Sequence, residues 1–166
     1  VGKRARRETG IGRNVVSVSK ACVELTRRVL GELNKLCVLV IGVGEAGNLA
    51  AKALRDVGVK ELSVANRTHW RAEELAKELG GNVVPFDDME DCLSKIDVVI
   101  SATGSPEYVL GKTVIAKIMD RRRYAPLVLM DIAVPRDIEP TVGELDGVFL
   151  YSINDLDALT VLFELL

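Results

Sequence analysis

Five apolar residues, Cys37-Val-Leu-Val-Ile41, run directly into Gly42-Val-Gly-Glu-Ala-Gly47. The apolar run shows no polar alternation, so both faces of whatever it forms must be covered. That is the pattern of a strand buried between two layers of helices. A Gly-x-Gly-x-x-Gly spacing straight after such a strand implies a tight turn and then a helix whose first amides face a ligand. Glycine triplets alone are common; the strand before and the helix after are what give this one weight.

The same alternation continues along the chain. Strands are expected over residues 37–41, 62–65, 82–85, 97–102, 127–131 and 148–151, and helices over 45–57, 69–79, 88–95, 112–123 and from 154 onward. Strands and helices in strict alternation require a parallel sheet with right-handed crossovers. Before this unit, Val15, Val18, Cys22, Leu25, Val29 and Leu33 recur at helical spacing, which predicts a helix over 14–33 with Ser17 or Ser19 as its cap. The expected fold class is therefore α/β: a three-layer, doubly wound parallel sheet of the Rossmann-like kind, with an extra N-terminal helix and the start of a C-terminal one.

At 166 residues this is one domain. Residues 1–13 read as a basic arm, with Lys3, Arg4, Arg6, Arg7 and Arg13 against Glu8, solvated and poorly ordered. Residues 14–153 form the nucleotide-binding unit, and 154–166 begin a helix leading elsewhere. That last helix stops with its apolar face still running at Leu165-Leu166, as expected of a middle domain from a longer protein.

Composition narrows the class. Apolar residues make up 48% against 28% charged, which excludes a disordered chain, and 4% aromatic leaves a core of Val, Leu, Ile and Ala. Lys and Arg number 22 against 24 Asp and Glu, a balance that argues against a chain devoted to nucleic acid. Three cysteines (Cys22, Cys37, Cys92) and one histidine (His69) have no metal-ligand spacing, so no metal site is expected. Reduced thiols and a cytoplasmic location follow as expectations, and no run of about 18 apolar residues suggests a membrane span.

The candidate cofactor residues fall at strand ends. Gly42 permits the tight turn, Gly44 lets a diphosphate approach the backbone, and Gly47 lets helix and strand pack closely; Val43, Glu45 and Ala46 complete the turn. The helix start then offers unpaired N–H groups to the diphosphate. Where an NAD-preferring site carries Asp or Glu at the end of the second strand, this chain has Asn66-Arg67-Thr68. Arg67 suits a 2′-phosphate, with Asn66 and Thr68 as further donors, so the expected cofactor is NADP(H) rather than NAD. After the fourth strand, Ser101-Ala-Thr103-Gly104 is placed to let a nicotinamide ring lie against the backbone. The segment Asp131-Ile-Ala-Val-Pro-Arg-Asp-Ile138 reaches the same edge; it reads either as a functional loop or as a structural turn with an internal Arg–Asp pair.

Taken together these stretches resemble the glutamyl-tRNA reductases, specifically their central NADPH-binding domain. The resemblance runs through Glu8-Thr-Gly-Ile-Gly-Arg13, Val16-Ser-Val-Ser19, Val43-Gly-Glu45, Ala65-Asn-Arg-Thr68, Ser101-Ala-Thr-Gly104, Asp131–Ile138 and Val142-Gly-Glu-Leu-Asp-Gly-Val148. Ala46, where that family often has Met, and Asn14, where it often has Gly, are small departures. The resemblance implies an enzyme of tetrapyrrole (porphyrin) biosynthesis in which a separate N-terminal domain forms a thioester from glutamyl-tRNA on a cysteine. NADPH then reduces the thioester to glutamate-1-semialdehyde. It also implies a homodimer formed through a C-terminal helix, and an aminomutase as the partner that takes the semialdehyde onward. No catalytic residue transfers onto this sequence. A shikimate dehydrogenase-like enzyme shares the glycine turn and the Asn-Arg-Thr end, and a non-catalytic NADP(H)-sensing module is the alternative outside enzymes.

Overall fold

Alternate residues of the central strands enter two separate cores, and this partition sets the architecture. In the computed structural model, Val38, Val40, Val98, Ile100, Val128 and Met130 face one layer; Leu39, Ile41, Val99, Leu127 and Leu129 face the other, and all are buried. The structure describes the backbone of residues 2–165 and the side chains of residues 15–165.

The strands are β1 (Cys37–Ile41), β2 (Glu61–Ala65), β3 (Asn82–Val83), β4 (Val98–Ser101), β5 (Leu127–Asp131) and β6 (Val148–Ser152). They form one sheet in the order β3-β2-β1-β4-β5-β6, every pairing parallel. Chain order reverses between β1 and β4, the switch point where ligands of open α/β sheets bind. Register brings Ile41 level with both Ala65 and Ser101, Ser101 level with Asp131, and Asp131 level with Ser152. The loops that leave those strands therefore start from a common edge.

The helices are α1 (Gly2–Leu30), α2 (Glu45–Asp56), α3 (His69–Leu79), α4 (Met89–Cys92), α5 (Lys112–Arg121) and α6 (Ile153–Glu164). Right-handed crossovers that move outward in both directions from a switch point put α2 and α3 on one face and α5 on the other. This leaves β4–β6 bare on the α2 face, and α1 and α6 cover it: Val18, Cys22, Leu25 and Leu156 join the core of Val98, Ile100 and Met130.

Several element limits differ from the sequence expectation. The helix expected from residue 14 begins at Gly2 and takes in the stretch read as an arm, while Leu33–Lys35 forms a separate 3₁₀ turn. Lys, Arg and Glu are good helix formers, so the charges read as solvation also favour continuation. Ser19 consequently lies inside the helix and donates to Val16 O (2.8 Å) instead of capping it. Residues 88–95 do not make one helix; α4 sits between 3₁₀ turns at Phe86–Asp88 and Leu93–Lys95. Ser94 and Cys92 bond back to the carbonyls of Asp91 and Met89, local bonds that compete with a regular helix. The last helix starts at Ile153, fixed by a capping box between Ser152 and Asp155. A 3₁₀ turn at Pro140–Glu144, unforeseen from the sequence, buries Val142 under β5 and β6.

Candidate functional site

The turn after β1 is wedged between its neighbours. Gly42 N donates to Ala65 O (2.9 Å) at the end of β2, and its φ is +94°. A Cβ there would lie 2.4 Å from Ala102 O, so any side chain is both strained and obstructed. Gly47 is excluded from larger residues by contact alone: its Cβ would meet Gly42 O at 2.6 Å. Gly44 is the opposite case. It is exposed, and a Cβ built on it meets nothing within 4 Å, so its bare backbone faces open space. The first α-helical bond of α2 runs from Asn48 N to Gly44 O (2.9 Å), and Gly44 provides no side-chain cap. The preceding amides therefore have no helical acceptor and carry the positive end of the helix dipole.

That turn opens on a groove of about 620 Å³, lined by Gly42, Val43 and Gly44, by Asn66, Arg67 and Arg71, and by Ala102 through Glu107. The Arg67 guanidinium lies 4.7 Å from the centre of the Phe86 ring, and that of Arg71 lies 5.4 Å from the Trp70 ring. Neither is among the ion pairs of the described residues. Asn66 Nδ2 donates to Thr68 O (3.0 Å) and so shapes the turn into α3. Two cations without carboxylates stand at one end of the groove, and bare glycine backbone stands at its middle. Bare backbone amides flanked by cations suit an anionic ligand.

The third wall departs from the sequence reading. Ser101 is fully buried, and its hydroxyl donates to Asp137 Oδ2 (2.7 Å) instead of facing a ligand. Thr103 lines the groove, but its amide (2.8 Å) and hydroxyl are both held by the Asp137 carboxylate. Burial pushes the Asp137 carboxyl above its usual range; bonds from Thr103 and Ser101 pull it back, and the nearby Asp131 charge adds to the rise. Asp131 is buried too. It accepts from the amides of Ala133, Asp137 and Ile138 and pairs with Arg136 Nε at 3.4 Å. The internal Arg–Asp pair of the structural-turn reading of residues 131–138 is present.

Of the twelve cofactor candidates, Gly42, Val43, Gly44, Asn66, Arg67, Thr103 and Gly104 meet in the groove. Glu45, Ala46, Gly47, Thr68 and Ser101 lie outside its lining; Gly47 and Ser101 shape it from behind. Arg71, Phe86 and Glu107 were not anticipated. Arg71 carries a legible signal: a cation in the first turns of a helix opposes the dipole and is favoured only by a nearby anion.

The thiols stay out of the site. Cys22 is fully buried, and burial pushes its thiol up to about 12. Burial likewise raises Cys37, helped by a bond to Glu61, and raises Cys92, which donates to Met89 O. His69 is exposed and pairs with Glu73 at 3.0 Å. Among the described residues there is no cluster of three metal-ligating side chains, and no helix is long and apolar enough to cross a membrane.

The sequence pattern of the family described as shikimate / quinate 5-dehydrogenase matches residues 24–159. The glutamyl-tRNA reductase of Maridesulfovibrio salexigens is 47% identical over 156 residues, covering 94% of this chain and 36% of that protein. The solved glutamyl-tRNA reductase of Methanopyrus kandleri superposes with a TM-score of 0.83 at 45% identity, covering 96% of this chain and 40% of that one. The shikimate 5-dehydrogenase of Thermus thermophilus, at 23% identity and a TM-score of 0.57 over 89% of this chain and 54% of that one, shares the fold alone. The chain thus spans little more than a third of the length of the curated relative it matches. Matched over most of its length by that family pattern, the chain belongs to the shikimate / quinate 5-dehydrogenase family, and its relatives at 45–47% identity include glutamyl-tRNA reductases.

Proposed function

We propose that this chain is the NADP(H)-binding domain of a glutamyl-tRNA reductase, an oxidoreductase of porphyrin biosynthesis. The observation that carries the reading is the pair of guanidiniums, Arg67 and Arg71, left without carboxylates at the β2 end of a groove whose middle is the bare Gly42–Gly44 backbone. Each part of the cofactor has an address. The amides at the start of α2 receive the diphosphate, and Arg67 with Arg71 receives the 2′-phosphate. The wall at Thr103 and Gly104 receives the nicotinamide nucleoside. When bound, the nicotinamide supplies hydride; this chain binds it, orients it, and holds it at the carboxyl edge of the sheet.

The thioester with glutamate, the recognition of glutamyl-tRNA, homodimerisation and delivery of the semialdehyde to an aminomutase belong in this reading to the remainder of a protein about two and a half times as long. The test is calorimetric titration of this chain with NADPH and NADH side by side. Tighter binding of NADPH is expected; equal affinities would remove the role given to Arg67, and no binding of either would remove the cofactor reading.

A further inference from the structure

We propose that Asp137 is the positioning residue of the groove wall that receives the nicotinamide half of the cofactor, an inference that rests on the NADP(H) reading above. Asp137 is fully buried and does not line the groove, yet every polar link in that wall leads back to it. Its Oδ2 accepts from Ser101 Oγ (2.7 Å) and Thr103 N (2.8 Å), and its Oδ1 accepts from Thr103 Oγ1. With its proton given to the carboxylate, Thr103 Oγ1 is oriented to accept from Ser105 N (3.1 Å). Ser105 Oγ then donates to Glu107 O (2.9 Å) and accepts from Glu107 N (3.2 Å). Thr103, Ser105 and Glu107 all line the groove, so one carboxylate fixes three successive points of its wall.

The carboxylate is itself anchored. Asp137 N donates to Asp131 Oδ2 (3.0 Å), and Asp137 O accepts from Leu110 N (3.1 Å), which begins the path to α5. The chemistry also requires the acid. Three donors converge on two oxygens, which an acceptor-only carboxylate accommodates; an amide offers one acceptor and turns its own N–H groups toward donors.

The experiment compares two ligands on this chain and on Asp137→Asn. NADPH spans the whole groove. Adenosine 2′,5′-bisphosphate carries the 2′-phosphate and the adenosine but lacks the nicotinamide nucleoside, so it does not use the Thr103–Glu107 wall. The expected result is that Asp137→Asn weakens NADPH by about tenfold while adenosine 2′,5′-bisphosphate binds as before. Equal weakening of both, or no weakening of either, overturns the proposal, because a general structural role does not distinguish the halves of one ligand. If Asp137→Asn does not fold, Ser101→Ala carries the same comparison from a buried position outside the groove, with a smaller loss confined to NADPH. A wild-type chain that binds neither ligand overturns the cofactor reading and this proposal with it.

Discussion

Arg67 shows how a side chain can be both exposed and preorganised. Its guanidinium rests on the Phe86 ring, which limits the rotamers it would give up on meeting the proposed phosphate. Arg71 approaches the same space from α3, again on an aromatic ring. Charge-assisted bonds to a phosphate contribute roughly 1.5–3 kcal/mol each. Arg67→Ala is therefore expected to weaken NADPH by about 1–3 kcal/mol and to leave NADH nearly unchanged, measured by calorimetry. A parallel loss for both cofactors would make Arg67 a structural residue. Its position was legible because it stands where a carboxylate would otherwise hold a ribose hydroxyl. Arg71 was overlooked because one cation on a charged helix reads as part of a solvated face, although its place in the first turn of α3 is a signal that could have found it. What holds Ser101 and Thr103 was not legible for another reason: the carboxylate lies 36 and 34 residues further on, and no local pattern announces that meeting.

The central strands were legible almost residue by residue, because an apolar run buried on both faces has no other home. β1 and β5 begin and end where the pattern says. The connections were less so. Residues 86–95 and 140–144 form 3₁₀ turns and, at α4, a single α-helical turn, pieces too short to be set by their own propensity and held by what they cover. Arg122 is what ties one of them down. From the end of α5 its Nη1 donates to Leu93 O (3.1 Å) and Ser94 O (3.2 Å) and also bonds Ile96 O. Its Nη2 donates to Pro126 O (2.7 Å). One guanidinium thus joins the segment before β4 to the segment before β5. Arg122→Ala leaves the part-buried Ser94 and Ile96 carbonyls without this donor, and a loss of about 1–3 kcal/mol of stability is expected in urea denaturation. Because the groove lies at the other end of the strands, the folded fraction should bind NADPH normally.

The sheet places its chemistry at one edge, and the positions of the three thiols relative to that edge decide what the chain does alone. Cys37 opens β1 at the amino end, and the groove begins beyond Ile41, about 13 Å away at roughly 3.3 Å per residue. Cys22 is sealed in the α1 core; with its thiol near 12, on the order of one molecule in ten thousand is thiolate at pH 8. Cys92 faces the core under α4 and donates to a backbone carbonyl. An acyl transfer needs a thiolate within reach of the nicotinamide, and none of these provides one. The 166-residue chain is accordingly expected to bind NADPH yet yield no glutamate-1-semialdehyde from glutamyl-tRNA, measured by trapping the product. A disulfide reagent at pH 8 should leave Cys22 unmodified until the chain is unfolded. If semialdehyde does form, its dependence on Cys22, Cys37 and Cys92 would identify the nucleophile, and the proposed division of labour between this chain and the remainder of a longer protein would have to be redrawn.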